Sequence, residues 1–327
     1  MLFRCKNCNG NVVYSPEKGR MLCLFCDSID SEEGVPVNST ITCPACSGEF
    51  QVSEVTSATK CGYCGNYMIF DERVSGQYTP HLIMPFKLSK ERVKTIMRKE
   101  FGKKKFAPDN FLSDAKLSTM EGMYVPFWMY DFKTNYDFQG KGTKVRSWMV
   151  GNVKHVETSY YNVFRNIDIT FDKIPADASI LMDDSIMDLM EPYDYKALET
   201  FQEKYMSGFF AEKYNMPAEQ LEPRVRQKVT NDSETILNSN LSGYASMTPV
   251  VKNLTMQRGE TEYALMPVWI YTYQYGGRNY IYHINGQTGK VIGVAPVSKK
   301  KVWAYSGTVF AALSIIGVLV NAILEVL

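Results

Sequence analysis

The 327-residue sequence has only three histidines and no cysteine after Cys64. No HExxH, GxSxG or GxGxxG motif is present, and the GKGTK and GQTGKV segments lack the spacing of a nucleotide-binding P-loop. His81, His155 and His283 stand alone, without a local Cys or Ser that would make a nucleophile–base pair. The expectation is a protein that is not an enzyme. Net charge is also missing: +1 overall gives no field to draw in nucleic acid. The first residues, MLFRCKNC, have no apolar run after a positive patch, so no signal peptide is expected. An acidic cluster at Asp183, Asp184, Asp188 and Glu191 could hold a divalent cation, but it does not match the Ca²⁺-loop spacing and reads as a solvated or capping patch.

What is there begins with the eight cysteines. Cys5, Cys8, Cys23 and Cys26 form two CxxC pairs, and Cys43, Cys46, Cys61 and Cys64 repeat them thirty-eight residues later. Four thiolates on two close pairs can surround one zinc ion tetrahedrally, and the fourteen residues between pairs suit a short hairpin. Clustered CxxC pairs point to metal in a reducing compartment, not to a disulfide framework. Two zinc ions are expected, one per zinc ribbon, with rubredoxin-type iron as the alternative. Residues 1–70 hold five basic and seven acidic residues, a net −2 that lacks the phosphate-binding term of nucleic-acid modules. The ribbons read as protein-docking modules or as metal-stabilised spacers.

The other end is apolar. Trp303 to Leu324 is uncharged over twenty-two residues, about 33 Å as a helix, which matches a hydrocarbon core. Lys299, Lys300 and Lys301 precede it, with Trp303 and Tyr305 at headgroup depth. The positive-inside rule then leaves the N-terminus cytoplasmic, in a single-pass, tail-anchored protein. Gly307, Ala311 and Ser314 make a small-residue stripe on which two such helices can pack as a homo-oligomer. Nine Lys or Arg between Lys87 and Lys105 face two Glu, a pattern of a solvated helix face or of a surface for anionic lipid headgroups.

The middle carries a second echo. YVPFWMY at Tyr124–Tyr130 resembles LMPVWIY at Leu265–Tyr271, and each leads into alternating aromatic strands. Helices are expected over Ser89–Phe101 and near 194–214 and 217–239, with hairpin turns at Gly276–Gly277 and Asn285–Gly289. The fold class is α+β: tandem ribbons over 1–33 and 39–72, α+β lobes with antiparallel strands over 78–180 and 181–298, and a transmembrane helix over 302–324.

The CxxC pairs, GMYVPFWMYDF, SGFFAEKYN, NGQTGK and the apolar tail, in that order, resemble a bacterial family of membrane-anchored, TFIIB-type zinc-ribbon proteins. Members are often labelled relatives of the primosomal helicase, an activity not carried over because the nucleotide loop is absent. The resemblance implies a cytosolic ribbon module held at the bacterial inner membrane beside phage-shock-type and SPFH membrane-remodelling proteins. It also implies zinc-ligand roles for all eight cysteines, with a more strained or exposed first site because Asp27 replaces the usual glycine. The expected function is a non-catalytic adaptor that docks protein partners at the membrane. The rival is a tethered nucleic-acid-binding protein using the ribbons and residues 87–105.

Overall fold

The computed structural model describes residues 1–35 and 42–326; the expected start of the second ribbon at residue 39 lies outside them. The first ribbon comprises β1 (Leu2–Cys5), β2 (Val12–Ser15), β3 (Arg20–Cys23) and β4 (Glu32–Val35). β2 and β3 form a hairpin, and β4 pairs antiparallel with β1. The second ribbon contributes β5 (Thr56–Lys60) and β6 (Tyr67–Ile69), also antiparallel. Neither ribbon is a loose appendage. Val12 and Tyr14 pack into the main core, where Tyr14 meets Tyr205 edge-on with ring centres 5.0 Å apart. β5 joins the large sheet through Ala58, opposite Ala211.

The body runs β7 (Leu82–Ile83), α1 (Lys90–Phe101), α2 (Asp114–Leu117), β8 (Glu121–Val150), β9 (Val153–Asp177), α3 (Asp184–Leu189), β10 (Glu199–Thr200), β11 (Phe210–Glu212), α4 (Ala218–Leu241), β12 (Ser246–Tyr275), β13 (Arg278–Asn285) and β14 (Val291–Ile292). Its ten-stranded sheet has the order β10-β7-β12-β8-β11-β5-β6, with β9 beside β8, and β13 and β14 beyond β12. At about 3.3 Å per residue, the 30-residue β8 and β12 approach 100 Å if straight.

The sequence echo has a geometric meaning. Val125 pairs with Met266, its own counterpart in the repeat, and Pro126 and Pro267 sit symmetrically about that pair. The symmetry extends outward. β7 lies parallel to β12 through Leu82 and Ala264, as β11 lies parallel to β8 through Phe210 and Met123. Each short strand begins eight residues before a helix, α1 or α4, which is followed by a long strand that turns back as a hairpin. The copies also clasp each other. Trp269 Nε1 donates to Leu88 O at 3.1 Å, and Trp128 Nε1 to Met216 O at 3.0 Å, each carbonyl belonging to the approach to the other copy's helix. The α+β lobes thus share one sheet, related by a local two-fold.

α1 buries Val93, Met97 and Phe101, as the spacing predicts, and Ser89 caps it by accepting from Arg92 N–H. α4 matches the second expected helix, and the Gly276–Gly277 turn is formed with both φ values positive, which suits the twist of a tight hairpin. The helix expected near 194–214 is not formed. That segment holds short turns at Tyr195–Ala197 and Glu203–Met206, with β10 between them and β11 after. Gly208 at φ 98° interrupts any helix, and Phe210–Glu212 instead satisfies its backbone between β8 and β5. Tyr205 and Phe209 are nonetheless core, so the apolar stripe was real and its period misleading.

α5 (Lys299–Val326) is the one helix among the described residues long and apolar enough to cross a membrane, and its span Lys299–Val318 is unburied by the rest of the chain.

Candidate metal centres

Both clusters are assembled by the same local device. Each CxxC lies in a knuckle where the first cysteine's carbonyl accepts from the N–H four residues on: Asn9, Asp27, Ser47 and Gly65. The first cysteine's own N–H returns to the carbonyl five residues on, at Gly10, Ser28, Gly48 and Asn66. These turns require a left-handed residue at the fourth position, and all four adopt it, with φ of 58°, 56°, 59° and 75°. Only Gly65 does so freely. Asn9 and Asp27 tolerate it through their short polar side chains, while Ser47 carries the larger cost, about 1 kcal/mol. The departure from glycine noted at Asp27 is therefore shared by three of the four knuckles, and the second site contains one of them.

The knuckles aim eight sulfurs at two points. Cys5–Cys26 and Cys8–Cys23 Sγ distances are 3.7 and 3.5 Å; Cys43–Cys64 and Cys46–Cys61 are 3.6 and 3.8 Å. Within each group every pair of sulfurs lies within 4.8 Å. A tetrahedron with metal–sulfur bonds near 2.3 Å has edges of about 3.8 Å, so the donor set fits one metal ion per cluster. In both, the first cysteine of each pair is buried and the second exposed. Around the first cluster, the Ser31 and Ser28 hydroxyls lie 3.3 and 3.1 Å from Cys5 and Cys26 Sγ and hold those thiols below their ordinary range. A bound metal would tie β1 to β3 in one ribbon and the two knuckles flanking β5 in the other.

Two further residues share the 38-residue offset of the cysteines and escape a search for ligands. Phe25 and Tyr63 occupy the same position in the second knuckle of each ribbon, 76% and 72% exposed. Each ring rests on the glycine of the opposite knuckle. A Cβ at Gly10 would meet Phe25 Cδ2 at 2.5 Å, and one at Gly48 would meet Tyr63 Cδ2 at 2.6 Å. The rings are thus seated by missing side chains while their outer faces stay open. Their common offset was the signal available in the sequence.

The remaining candidates are accounted for by packing. Asp183 caps α3, accepting from Ser185 and Ile186 N–H. Asp188 pairs with Arg224 and Lys228 at 2.7 and 2.6 Å, and Lys228 also reaches Glu191 at 3.2 Å. His81 Nδ1 accepts from Tyr263 N–H at 2.9 Å, His155 stacks on Trp148, and His283 is buried, which depresses its basicity. The basic stretch 87–105 leads to the root of α5. Ser298 N–H donates to Phe106 O at 2.7 Å, Phe106 meets Tyr305 with ring centres 5.5 Å apart, and Lys301 pairs with Asp109 at 2.6 Å.

The class that fold and sites define is an α+β protein with two N-terminal four-cysteine centres and one C-terminal apolar helix. No family model and no solved structure matches the chain. It is 33% identical over 340 residues to "Uncharacterized protein YdjG" of Bacillus subtilis (strain 168), covering 98% of each chain. The chain belongs to the YdjG family.

Proposed function

We propose that this protein is a non-catalytic adaptor at the cytoplasmic face of the bacterial cell membrane, whose paired zinc ribbons of TFIIB type dock protein partners. The observation that carries the reading is the repeated pair Phe25 and Tyr63: open aromatic rings at equivalent places on two metal-braced knuckles. Exposed aromatics fixed on a rigid support are the residues that anchor protein interfaces. Duplication then has a purpose, because two linked weak contacts bind far more tightly than one. The fusion of both ribbons to the body supports the same reading, since it holds the rings at a set separation. Zinc is the metal proposed, one ion per site, because four thiolates in a closed shell match its tetrahedral preference.

α5 is proposed as a single-pass tail anchor, with Lys299–Lys301 at the headgroups and the N-terminus cytoplasmic. Lys103, Lys104 and Lys105 stand close to the root of that helix, next to Phe106, and would add contacts to anionic lipid. Partners of the phage-shock and SPFH type follow from the resemblance of the motifs and are proposed on that basis.

The test is crosslinking and affinity capture from membranes with Phe25→Ala and Tyr63→Ala, singly and together. Defined protein partners should weaken with each substitution and disappear with both, while membrane attachment and metal content are unchanged. Undiminished partners in the double variant would remove the docking role from the ribbons. Recovery of nucleic acid that is lost on raising salt would replace the adaptor reading with its rival.

A further inference from the structure

The strand β9 pairs with β8 alone; among the described residues its other edge has no partner. Its ladder is regular from Val153, opposite Val150, to Phe171, opposite Phe132, and a bulge with Lys173 at φ 56° ends the regularity. Long, regular open edges are ordinarily blunted by bulges, prolines or a run of lysines. Between Val153 and Ile169 there is no proline, and apolar side chains stand out from the strand: Tyr160 is 80% and Phe164 63% exposed. Only four residues of this stretch other than His155 bear charge, Lys154, Glu157, Arg165 and Asp168, and among the described residues none has an ion pair within its own chain.

We propose that two copies of the chain join edge to edge along β9, antiparallel, about a two-fold axis at Tyr161. In that register Lys154 faces Asp168 of the second copy and Glu157 faces its Arg165, so all four charges meet an opposite one, twice over by symmetry. Sliding one copy by one or two residues in either direction leaves all four facing neutral side chains or His155. The register also keeps the whole contact, Val153–Ile169, inside the bulge-free part of the strand. On the face shared by even-numbered residues, Phe164 lies diagonal to Tyr160 of the second copy, which covers two of the most exposed aromatics of the molecule.

The experiment is sedimentation velocity of the full-length chain in detergent over a dilution series. The wild type should show a monomer–dimer equilibrium. Glu157→Arg and Arg165→Glu should each weaken it about tenfold, since each turns two attractive pairs into two repulsive ones. The double variant, which restores opposite charges, should recover the wild-type value; that recovery separates lost pairing from a lost fold. A chain that stays monomeric throughout overturns the proposal and leaves the edge to a strand of another protein. A dimer indifferent to either reversal also overturns it and assigns self-association to α5. The outcome is independent of Phe25 and Tyr63, so the adaptor reading stands or falls separately.

Discussion

Asp177 is a residue whose chemistry only the fold decides. It is 0% exposed; Oδ1 takes a hydrogen bond from Arg224 at 2.9 Å, and Oδ2 has no partner among the described residues. Burial outweighs the guanidinium and lifts its pKa to about 6, above the ordinary ~3.9 of an aspartate. The folded state therefore binds this proton more tightly than the unfolded chain. The stability it contributes is present below pH ~4 and lost as pH rises toward 6. Asp177→Asn keeps the acceptor for Arg224, supplies a donor in place of the unpartnered oxygen and does not titrate. Its stability relative to wild type should grow by about 2 kcal/mol between pH 4 and pH 7. Parallel denaturant titrations across that range give the difference directly, and a pH-independent gap would refute the assignment.

The elements are held by contacts that cross between the repeats. Trp128 and Trp269 are equivalent in the echo, yet each donates to the carbonyl that precedes the other copy's helix. Replacing either by Phe should cost about 1–3 kcal/mol, from the lost hydrogen bond and the carbonyl left without its donor. Because the two clasps close one shared interface, their costs should be non-additive in a double variant. Chemical denaturation of the two single variants and the double variant measures the coupling; strictly additive losses would mean that the copies are held independently. The same scale explains the misread segment 194–214. Leu198, Phe201, Tyr205 and Phe209 follow a helical spacing, but aromatic residues serve strands and turns equally well, and pairing partners from β7, β8 and β5 decided the outcome.

For the whole molecule, the two four-cysteine centres are structural members of the body. Chelation should release two equivalents of metal and lower the thermal midpoint of the entire chain, because ribbon burial is part of the main core. Cys43→Ser with Cys46→Ser should, in addition, cost hydrogen-exchange protection at Ala58 and Ala211, which face each other between β5 and β11. Protection around Tyr130, deep in the sheet under α4, should persist. Unchanged exchange at Ala58 would show that the second ribbon folds onto the sheet without its metal. A collapse at all sites would show that body and ribbon unfold as one unit.

By itself the sequence determined the eight sulfur donors, the apolar terminal helix, the amphipathic α1 and the Pro–Trp–Tyr echo. Each is carried by local spacing: two residues between cysteines, twenty-two without charge, a 3.6-residue period, a constant offset. The knuckle aromatics Phe25 and Tyr63 were visible in that offset too, but their exposure was not, because it depends on two glycines seating the rings. Tertiary structure alone decided that the repeats interleave in one sheet, that Arg224 and Lys228 meet the acidic cluster, and that the basic stretch leads to the root of α5. It also decided that, among the described residues, β9 ends the sheet with an open edge. These are relations between residues tens to more than a hundred positions apart. No local pattern encodes them, since strand register and edge position follow from which surfaces bury together once the chain is folded.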